Sequence, residues 1–267
     1  MANRFLRRAD AKTIVEKLCA KIIYERKLIN HGDRILIAAS GGKDSTVLAW
    51  ALSRLRHVLD MEYELSAIHI SNDFDGTGSE IKSVLSELFS GWNIPFTDMD
   101  IPVIGRLKAG RKMNCYWCST QRRGELLKYA VENNYNKIAL GHHLDDIIET
   151  FFMNMTNTGK LKAMPVLLSY KKYPVSLIRP LGYLEEKQII ECASDLGFLG
   201  STCTCPYGIN SGRREIRKKI AEFCDNRSDI KRRILASLSS GSEDLLVDSD
   251  IMNDEKFYKE EEVQNDN

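Results

Sequence analysis

The sequence has no long run of apolar residues. None of its stretches approaches the roughly 20 residues that a membrane-spanning helix needs, which predicts that the chain does not cross a bilayer. The first ten residues, MANRFLRRAD, carry charge but lack the apolar core of a secretory signal. Both absences predict a cytoplasmic protein with no membrane partner. The sequence also contains no internal repeat, which excludes a solenoid architecture.

The sequence has an odd number of cysteines, seven. An odd count in a chain expected to be cytoplasmic argues against a disulfide framework. Ligation of a metal or cluster, a redox pair and simple burial remain open. The seven cysteines are Cys19, Cys115, Cys118, Cys192, Cys203, Cys205 and Cys224.

The net charge is close to zero overall, but the charges are unevenly distributed along the chain. The formal net charge is +1, yet residues 243–267 contain ten acidic residues and only two lysines. This acidic tail has no apolar periodicity, which predicts disorder. The remaining 242 residues carry a net charge of +9. That charge suits a polyanionic partner, although a solvated basic surface explains it nearly as well.

Short apolar runs alternate with helical patterns along the chain after a predicted helix over 10–28. The alternation predicts an α/β fold with a parallel sheet and helices on both faces. Ligands bind at the carboxyl ends of the strands in such sheets, where SGGKDS, SNDFDGTG and GHHLDD lie. The predicted strands are 34–40, 63–71, 96–103, 137–143 and 176–183, and the helices between and after them are 45–60, 79–92, 122–134, 144–155 and 184–197.

The loop SGGKDS after the first strand is predicted to bind phosphate. Gly41 and Gly42 let the backbone turn tightly, so that its N–H groups and those of the first helical turn form an anion nest. Lys43 supplies a mobile cation, and Ser40 and Ser45 supply hydroxyl donors. The loop is too short for the GxxxxGK[ST] pattern of kinases and GTPases. A glycine-rich turn that only caps a helix is the alternative.

SGGKDS resembles the PP-loop of the N-type ATP pyrophosphatase superfamily, whose members transfer AMP to a substrate oxygen and then let a nucleophile displace it. The resemblance implies a Rossmann-like fold, of the adenine nucleotide alpha hydrolase type, that binds ATP and magnesium. Asp44 becomes the expected magnesium ligand, because Mg²⁺ prefers a carboxylate together with phosphate oxygens. His69 and Gly141 are assigned to the ATP site with the six loop residues.

The C-x-x-C of MNCYWCSTQ, Cys115 and Cys118, fits a metal site, a redox pair or a structural role. A redox dithiol usually begins a helix in a thioredoxin-like context, which nothing else in the sequence indicates. Cys205 lies 87 residues beyond Cys118. Two thiolates at ligand spacing with a distant third fit a cluster or zinc, and unrelated buried thiols are the other interpretation.

Three strings follow the PP-loop in order: CYWCSTQRRGEL, IALGHHLDDIIETFFMNM and TGKLKAMP. Together they closely resemble the TtcA family, the tRNA 2-thiocytidine synthetases, over about residues 5–225. The resemblance implies an ATP-dependent sulfurtransferase. It would adenylate a cytidine, expected at tRNA position 32, and replace the 2-oxo oxygen with sulfur delivered at a [4Fe–4S] cluster.

By this resemblance Cys115 and Cys118 match the first two cluster ligands, and zinc is the alternative metal. Cys205 is the expected third ligand, because aligning Cys203 would shift the arginines and the helix that follow. GHHLDD closes a strand and opens a helix. Its two aspartates, Asp145 and Asp146, suit a helix cap, whereas the resemblance gives both a site role in holding magnesium or orienting the base.

The expected catalytic residues are therefore Lys43, Asp44, Asp145 and Asp146. For His142 and His143, two roles are equally expected: local packing, or donation of a hydrogen bond to phosphate or nucleobase.

The helix pattern in SGRREIRKKIAEF is basic and amphipathic. Charge alone supports RNA binding only weakly, and the family resemblance makes phosphate contact the expectation. An unpaired base of the anticodon loop can enter a pocket that a duplex base reaches only by flipping. The expected RNA contacts are Arg213 and Arg214, with Arg122, Arg123, Lys160 and Lys162 nearer the ATP site.

The resemblance implies further partners: a sulfur donor such as a cysteine desulfurase system, and a second copy of the chain in a homodimer. Four segments are expected: an N-terminal helical segment (1–30), a PP-loop ATP pyrophosphatase domain with the Fe–S site (31–210), basic C-terminal helices (211–242) and the acidic tail (243–267).

Two other functions stay open. One is the same chemistry on a uridine or a small molecule. The other is a non-catalytic Fe–S or zinc RNA-binding protein with a vestigial ATP loop, against which the intact SGGKDS and GHHLDD argue.

Overall fold

The structure, a computed structural model, describes residues 10–73, 78–108, 110–198, 212–225 and 227–239. Eight helices and six strands are present in these ranges. The helices are α1 (Ala11–Glu25), α2 (Lys43–Leu55), α3 (Gly78–Gly91), α4 (Cys115–Glu132), α5 (Leu144–Thr158), α6 (Glu186–Asp195), α7 (Gly212–Phe223) and α8 (Ser228–Ser239). The strands are β1 (Asp33–Ala38), β2 (Tyr63–Asn72), β3 (Phe96–Ile101), β4 (Lys137–Ala139), β5 (Leu167–Ser169) and β6 (Ser176–Ile178).

The strands form one sheet in the order β3-β2-β1-β4-β6-β5. All neighbouring strands are parallel except β5, which pairs antiparallel with β6. The predicted α/β fold with its parallel sheet is therefore confirmed. The antiparallel edge strand was not predicted, because β5 is three residues long and Leu168 and Ser169 are exposed. A strand this short is hard to distinguish from a loop in the sequence, even though Val166, Leu167 and Leu168 are apolar.

Side chains alternate between the two faces of the sheet. On β1, Ile35 and Ile37 pack into the larger core cluster, which includes residues of α1, α2, α3 and α6. Leu36 points to the opposite face and packs with Leu126 and Leu127 of α4. The sheet is therefore covered by helices on both faces, as its continuous apolar strands require.

The strand order reverses at β1. The chain runs from β1 outward to β2 and β3, and then returns to place β4 on the other side of β1. The loops that follow β1 and β4 leave the sheet on either side of one crevice. In open α/β sheets ligands bind at such a switch point. SGGKDS follows β1 and GHHLDD follows β4, so the fold brings both motifs to this crevice.

Several elements differ from the prediction in their extent, including α4 and β6. α4 begins at Cys115, seven residues before the predicted start, so the C-x-x-C forms its first turn. Asn114 caps this turn by accepting a hydrogen bond from Trp117 N at 2.8 Å. β6 ends at Ile178, short of the predicted 183, and Pro180 beyond it has no N–H to donate to a ladder.

The two C-terminal helices pack against α5. Ile220 and Cys224 are buried with Leu144 and Ile148 in a separate small cluster. Much of the predicted basic segment thus packs around the N-terminal half of α5. The four-segment division stays a prediction, and the acidic tail, Cys203 and Cys205 lie outside the described residues. No helix in the described ranges is long and apolar enough to span a bilayer.

Candidate active site

The SGGKDS loop joins β1 to α2 through a tight turn. Gly41 has φ +82°, a conformation that side chains disfavour, and Gly42 is the extended N-cap of α2. α2 then begins at Lys43, so the first N–H groups of the helix lie at the loop. These groups have no partner within the helix and carry the positive end of its dipole. The local geometry is that of an anion site.

Ser40 and Ser45 organise the loop internally. Ser45 Oγ accepts from Ser40 N at 3.1 Å and donates to the carbonyl oxygen of Gly42 at 3.0 Å. The two serine hydroxyl oxygens lie 3.0 Å apart. Because Ser45 uses its only proton on Gly42, the hydroxyl of Ser40 is the donor between them. Both predicted phosphate donors therefore also hold the shape of the loop.

Lys43 lies between two carboxylates. Its Nζ is 3.0 Å from Asp44 Oδ1 and 3.1 Å from Glu186 Oε1, at the start of α6. Burial opposes the charge of the ammonium group, but the attraction of Asp44 and Glu186 outweighs it and raises the pKa of Lys43. The lysine is therefore held as a cation at the phosphate loop.

Ion pairs continue from Glu186 to α5 and α7. Glu186 Oε2 is 3.2 Å from Arg217 NH1, and Arg217 Nε donates to Glu149 Oε1 at 2.6 Å. Arg213 then lies 3.6 Å from Glu149 and 3.4 Å from Asp146. This network links the phosphate loop to GHHLDD through the basic helix α7. Glu149 is buried, which raises the pKa of its carboxyl despite the opposing effect of Arg217.

The two aspartates of GHHLDD have different surroundings. Asp145 Oδ2 accepts from Glu186 N at 2.7 Å, and Asp145 Oδ1 accepts from Lys231 Nζ of α8 at 2.5 Å. Burial opposes ionisation of Asp145, but these two donors lower its pKa. Asp146 Oδ2 accepts from His143 N at 3.1 Å and is 3.4 Å from His143 Nε2. Asp145 thus joins three helices, while Asp146 faces the crevice histidine.

Three histidines lie at the crevice. His143 is buried, and its Nε2 is 4.0 Å from Asp44 Oδ1, so the two motifs meet there. Burial, reinforced by Arg179, lowers the pKa of His142 to about 4. Burial also lowers the pKa of His69, whose Nδ1 is 2.7 Å from the carbonyl oxygen of Ala39. A neutral His69 must donate through Nδ1, which leaves Nε2 as an acceptor.

A cavity of about 260 Å³ opens beside the loop at the carboxyl edge of the sheet. Its walls are mostly apolar, and Arg122 and Arg123 of α4 contribute two guanidinium groups. The arrangement suits a flat apolar ring attached to an anion, since specificity in such pockets comes from a few polar groups. The lining residues are Ala38, Ala39, Ser40, Ile68, Ile70, Ser119, Arg122, Arg123, Leu126, Leu127, Leu140, His142 and Leu177.

The C-x-x-C lies on the helix that forms one wall of this cavity. Cys115 is exposed and Cys118 is half-buried on the first turn of α4. Cys118 packs against the core cluster that contains Leu126 and Leu127, which line the cavity, and neither cysteine is itself a lining residue. The described residues contain no group of three or more His, Cys, Asp or Glu side chains arranged to hold a metal. The expected third ligand, Cys205, falls in the undescribed range 199–211.

The structure separates the predicted RNA contacts. Arg122 and Arg123 line the cavity and Arg214 is exposed, whereas Arg213 is half-buried and pairs with the largely buried carboxylates of Asp146 and Glu149. Lys160 and Lys162 follow the carboxyl end of α5. That 15-residue helix is about 22 Å long, and GHHLDD lies at its other end. The length of α5 therefore separates these two lysines from GHHLDD, and their contact with RNA stays a prediction.

Sequence reasoning missed Glu186, Arg217 and Glu149. Glu186 in LEEKQ is typical of an acidic first turn of a helix, and Arg217 of a solvated basic face. Neither pattern distinguishes a residue that pairs across the fold. Glu149 was the one signal of this network in the sequence. It occupies an apolar position of the α5 pattern, and a carboxylate buried there needs a cationic partner.

We expect Glu186→Gln to lower the pKa of Lys43, because it removes one of the two charges that raise it while keeping the side-chain shape. A larger neutral fraction of the amine should make Lys43 react faster with acetic anhydride at a fixed, mildly alkaline pH. Peptide mass spectrometry measures the rate. Glu215→Gln is the control, since Glu215 pairs with Lys219 on the exposed side of α7. Equal rates in the wild type and Glu186→Gln would contradict the pairing.

Gly141 lies where the end of β4 meets the first turn of α2. A Cβ atom at this position would lie 3.0 Å from both Asp44 C and Ser45 N. These contacts are with backbone rather than with movable side chains. Only glycine therefore fits without displacing the phosphate loop, which supports the assignment of Gly141 to the ATP site.

We expect Gly141→Ala to weaken ATP binding roughly tenfold or more, because overpacking of about 1–3 kcal/mol displaces the first turn of α2. Calorimetry with a non-hydrolysable ATP analogue measures the affinity. Gly124→Ala is the matched control, since a Cβ at Gly124 meets no atom within 4 Å among the described residues. Unchanged affinity in Gly141→Ala would show that the loop tolerates the displacement.

Comparison with known proteins agrees with this geometry. A model of the PP-loop domain matches residues 11–202, which is most of the chain, so the fold and the phosphate loop define a PP-loop protein. A tRNA-cytidine(32) 2-sulfurtransferase from Syntrophotalea carbinolica is 32% identical over 240 residues, covering 89% of this chain and 92% of the relative. Another from Dichelobacter nodosus is 34% identical over 242 residues, covering 90% of each. The chain belongs to the tRNA-cytidine(32) 2-sulfurtransferase family, which confirms the resemblance.

Among solved structures, the U34-tRNA thiolase NcsA from Methanococcus maripaludis, determined with its [4Fe–4S] cluster, has a similar fold. The TM-score is 0.71 with 23% sequence identity, over 86% of this chain and 78% of NcsA. At that identity the likeness establishes the shared fold of the two proteins.

Proposed function

We propose that this protein thiolates tRNA in an ATP-dependent reaction, adenylating a cytidine at position 32 and replacing its 2-oxo oxygen with sulfur. One observation carries the proposal: SGGKDS and GHHLDD meet at the switch point, beside a cavity walled by the helix that bears the C-x-x-C. Sulfurtransferases named for this nucleotide are about one third identical to the chain over most of its length, which supports the same substrate.

In this proposal ATP binds in the crevice with its phosphates at the SGGKDS loop. The N–H groups of the loop and the Lys43 ammonium bind the β- and γ-phosphates, and the adenine enters the cavity between Ile68, Ile70 and Leu140. The α-phosphate then lies near Ser40 and His142, at the mouth of the cavity. Asp44 suits magnesium, because its buried Oδ1 is charge-paired with Lys43 at 3.0 Å but accepts no hydrogen bond of good geometry from the described residues.

The adenylation step forms a bond between O2 of the cytidine and the α-phosphorus of ATP. The bond from that phosphorus to the bridging oxygen breaks, and pyrophosphate leaves with the electron pair. Lys43 neutralises the charge that develops on the leaving group, a preorganised electrostatic effect. Sulfur then bonds to C2 and AMP departs with O2, which completes the exchange of oxygen for sulfur.

The two aspartates of GHHLDD take separate roles in this proposal. Both oxygens of Asp145 already accept hydrogen bonds from Glu186 N and Lys231, so Asp145 positions α5 and α6 at the crevice. Asp146 contacts His143 and Arg213 at the crevice side. We assign Asp146 to orientation of the nucleobase and Asp44 to magnesium, with Lys43 acting on the phosphates.

The thiols of α4 suit a [4Fe–4S] cluster. Residues three apart on a helix have Cβ atoms about 5–6 Å apart, so Cys115 and Cys118 can occupy two corners of one cluster. Cys205 is the proposed third ligand, and zinc is the alternative metal. Three-cysteine ligation leaves one iron open, and the bound cluster would supply that iron as the place where inorganic sulfur is held. A cysteine desulfurase as sulfur source and a homodimer remain part of the proposal.

The nucleosides of tRNA from cells that lack the gene test this function. We expect 2-thiocytidine to disappear and to return when the wild-type gene is restored, as measured by mass spectrometry. Loss of a thiolated uridine instead would favour the uridine alternative. An unchanged set of thiolated nucleosides would support the non-catalytic RNA-binding alternative and contradict the proposal.

A further inference from the structure

The segment that leads into α4 is strongly basic. Residues 101–124 contain six basic and no acidic residues. Arg106 is neutralised by Glu125, at 2.6 Å. Lys108, Arg111 and Lys112 are exposed, and no carboxylate in the described part of the chain lies within ion-pair distance of them. Three cations with no ion-pair partner among the described residues therefore lie next to the C-x-x-C turn.

Tyr116, between the two cysteines, lies on the same surface. Its exposed fraction is 81%, the highest of the exposed large hydrophobic side chains in the described residues. Packing does not explain an aromatic ring at this position, since the ring lies outside the hydrophobic clusters of the described residues. Exposed aromatic rings beside cations are typical of surfaces that bind unpaired nucleotides.

The backbone that carries Tyr116 is well anchored. Trp117 donates from Nε1 to the carbonyl oxygen of Val103 at 3.1 Å and packs against the core below α4. The Tyr116 carbonyl oxygen accepts from Thr120 Oγ1 at 2.8 Å. Successive side chains on a helix project about 100° apart, so the inward Trp117 keeps Tyr116 directed outward. The ring is thus presented on a fixed turn.

We propose that Tyr116, Lys108, Arg111 and Lys112 form a docking surface for a single-stranded RNA loop. The ring stacks on a base, and the three cations bind the flanking phosphates. Every base has a π-face, so stacking on Tyr116 selects unpaired nucleotides rather than a particular sequence. The charge of the segment, with no acidic residue across 24 positions, is complementary to a phosphate backbone.

The surface lies where it could hold the substrate of the proposed function. The identification of the bound RNA as a tRNA loop rests on that proposed function. Ser119 and Arg122, one turn further along α4, line the cavity. A loop that stacks one base on Tyr116 therefore brings a neighbouring nucleotide to the mouth of that cavity. Tyr116 is a binding residue for the loop and takes no part in the transfer itself.

Binding of an anticodon stem-loop RNA to the full chain, without ATP or a sulfur source, tests the inference by fluorescence anisotropy. We expect Tyr116→Ala to weaken binding roughly tenfold or more and Tyr116→Phe to retain it, because phenylalanine keeps the stacking face. Tyr173→Ala is the control, since Tyr173 is also exposed and lies in the connection between β5 and β6. Melting temperatures and iron contents should match across the variants.

Replacing Lys108, Arg111 and Lys112 with alanine together should lower the slope of log affinity against log salt by about two, as three lost contacts to single-stranded phosphates require. A fully paired RNA hairpin stem should be insensitive to Tyr116→Ala. Equal affinity of the wild type and Tyr116→Ala for the stem-loop would overturn the inference, as would an equal loss on the paired stem. If the wild type thiolates tRNA but Tyr116→Ala still binds the stem-loop normally, this docking surface is refuted and the proposed function stands. Stem-loop binding that depends on Tyr116, without any thiolation, would instead refute the proposed function.

Discussion

Replacing Lys43 with alanine is expected to stop pyrophosphate release from ATP while leaving iron content unchanged. The ammonium group lies at the phosphate loop, 3.0 Å from Asp44, where it would neutralise the charge of the departing pyrophosphate. Such preorganised electrostatic stabilisation is worth a few kcal/mol, or roughly a hundredfold or more in rate. The thiols lie on α4, a different element, so the cluster should assemble normally.

Release of labelled pyrophosphate in the presence of tRNA, with the visible absorbance of the cluster recorded on the same sample, measures both effects. Lys128→Ala is the matched control, because Lys128 is an exposed lysine of α4 paired only weakly with Glu132 at 4.0 Å. Near-normal pyrophosphate release by Lys43→Ala would mean that SGGKDS does not bind the reacting phosphates, and the adenylation mechanism would have to be abandoned.

Each of the three single variants Cys115→Ala, Cys118→Ala and Cys205→Ala should abolish cluster assembly and thiolation. A cluster held at three points becomes labile when one thiolate is lost. Iron and sulfide analysis after anaerobic reconstitution measures the outcome.

Cys192→Ala is the control for the cysteine variants. Cys192 is buried in the larger core cluster, on the face of the sheet opposite α4, and burial raises the pKa of its thiol to about 11. Cys203→Ala should also retain the cluster. A full cluster in Cys205→Ala, with loss in Cys203→Ala, would show that the third ligand is Cys203.

The sequence was informative where one segment determines its own structure. The apolar run at β1, the glycines after it and the helical pattern from Val47 onward predict a strand, a turn and a helix without further context. The confirmed family and parallel sheet follow from such segments. The meeting of SGGKDS and GHHLDD was also predictable, because both follow parallel strands whose carboxyl ends share one edge of the sheet.

Contacts between distant segments were not predictable. The early turn of α4 is capped by Asn114, but its tie to the end of β3, where Trp117 donates to the carbonyl oxygen of Val103 across the preceding loop, has no signal in the sequence. Glu186 and Arg217 pair across 31 positions, and neither differs from an ordinary surface residue in the sequence. Lys160 was expected nearer the ATP site than the α7 arginines, but the length of α5 separates it from GHHLDD. Proximity in sequence and proximity in space diverge along α5.

Formation of labelled 2-thiocytidine by the purified protein tests the central claim most directly. The protein, reconstituted anaerobically with iron and sulfide, is incubated with ATP, magnesium, isotopically labelled sulfide and tRNA transcripts that carry cytidine or uridine at position 32. Nucleoside mass spectrometry should find the label in 2-thiocytidine from the cytidine transcript only, with one pyrophosphate released for each sulfur incorporated. Label in the uridine transcript, or sulfur incorporation that continues without ATP, would contradict ATP-dependent thiolation of a tRNA cytidine.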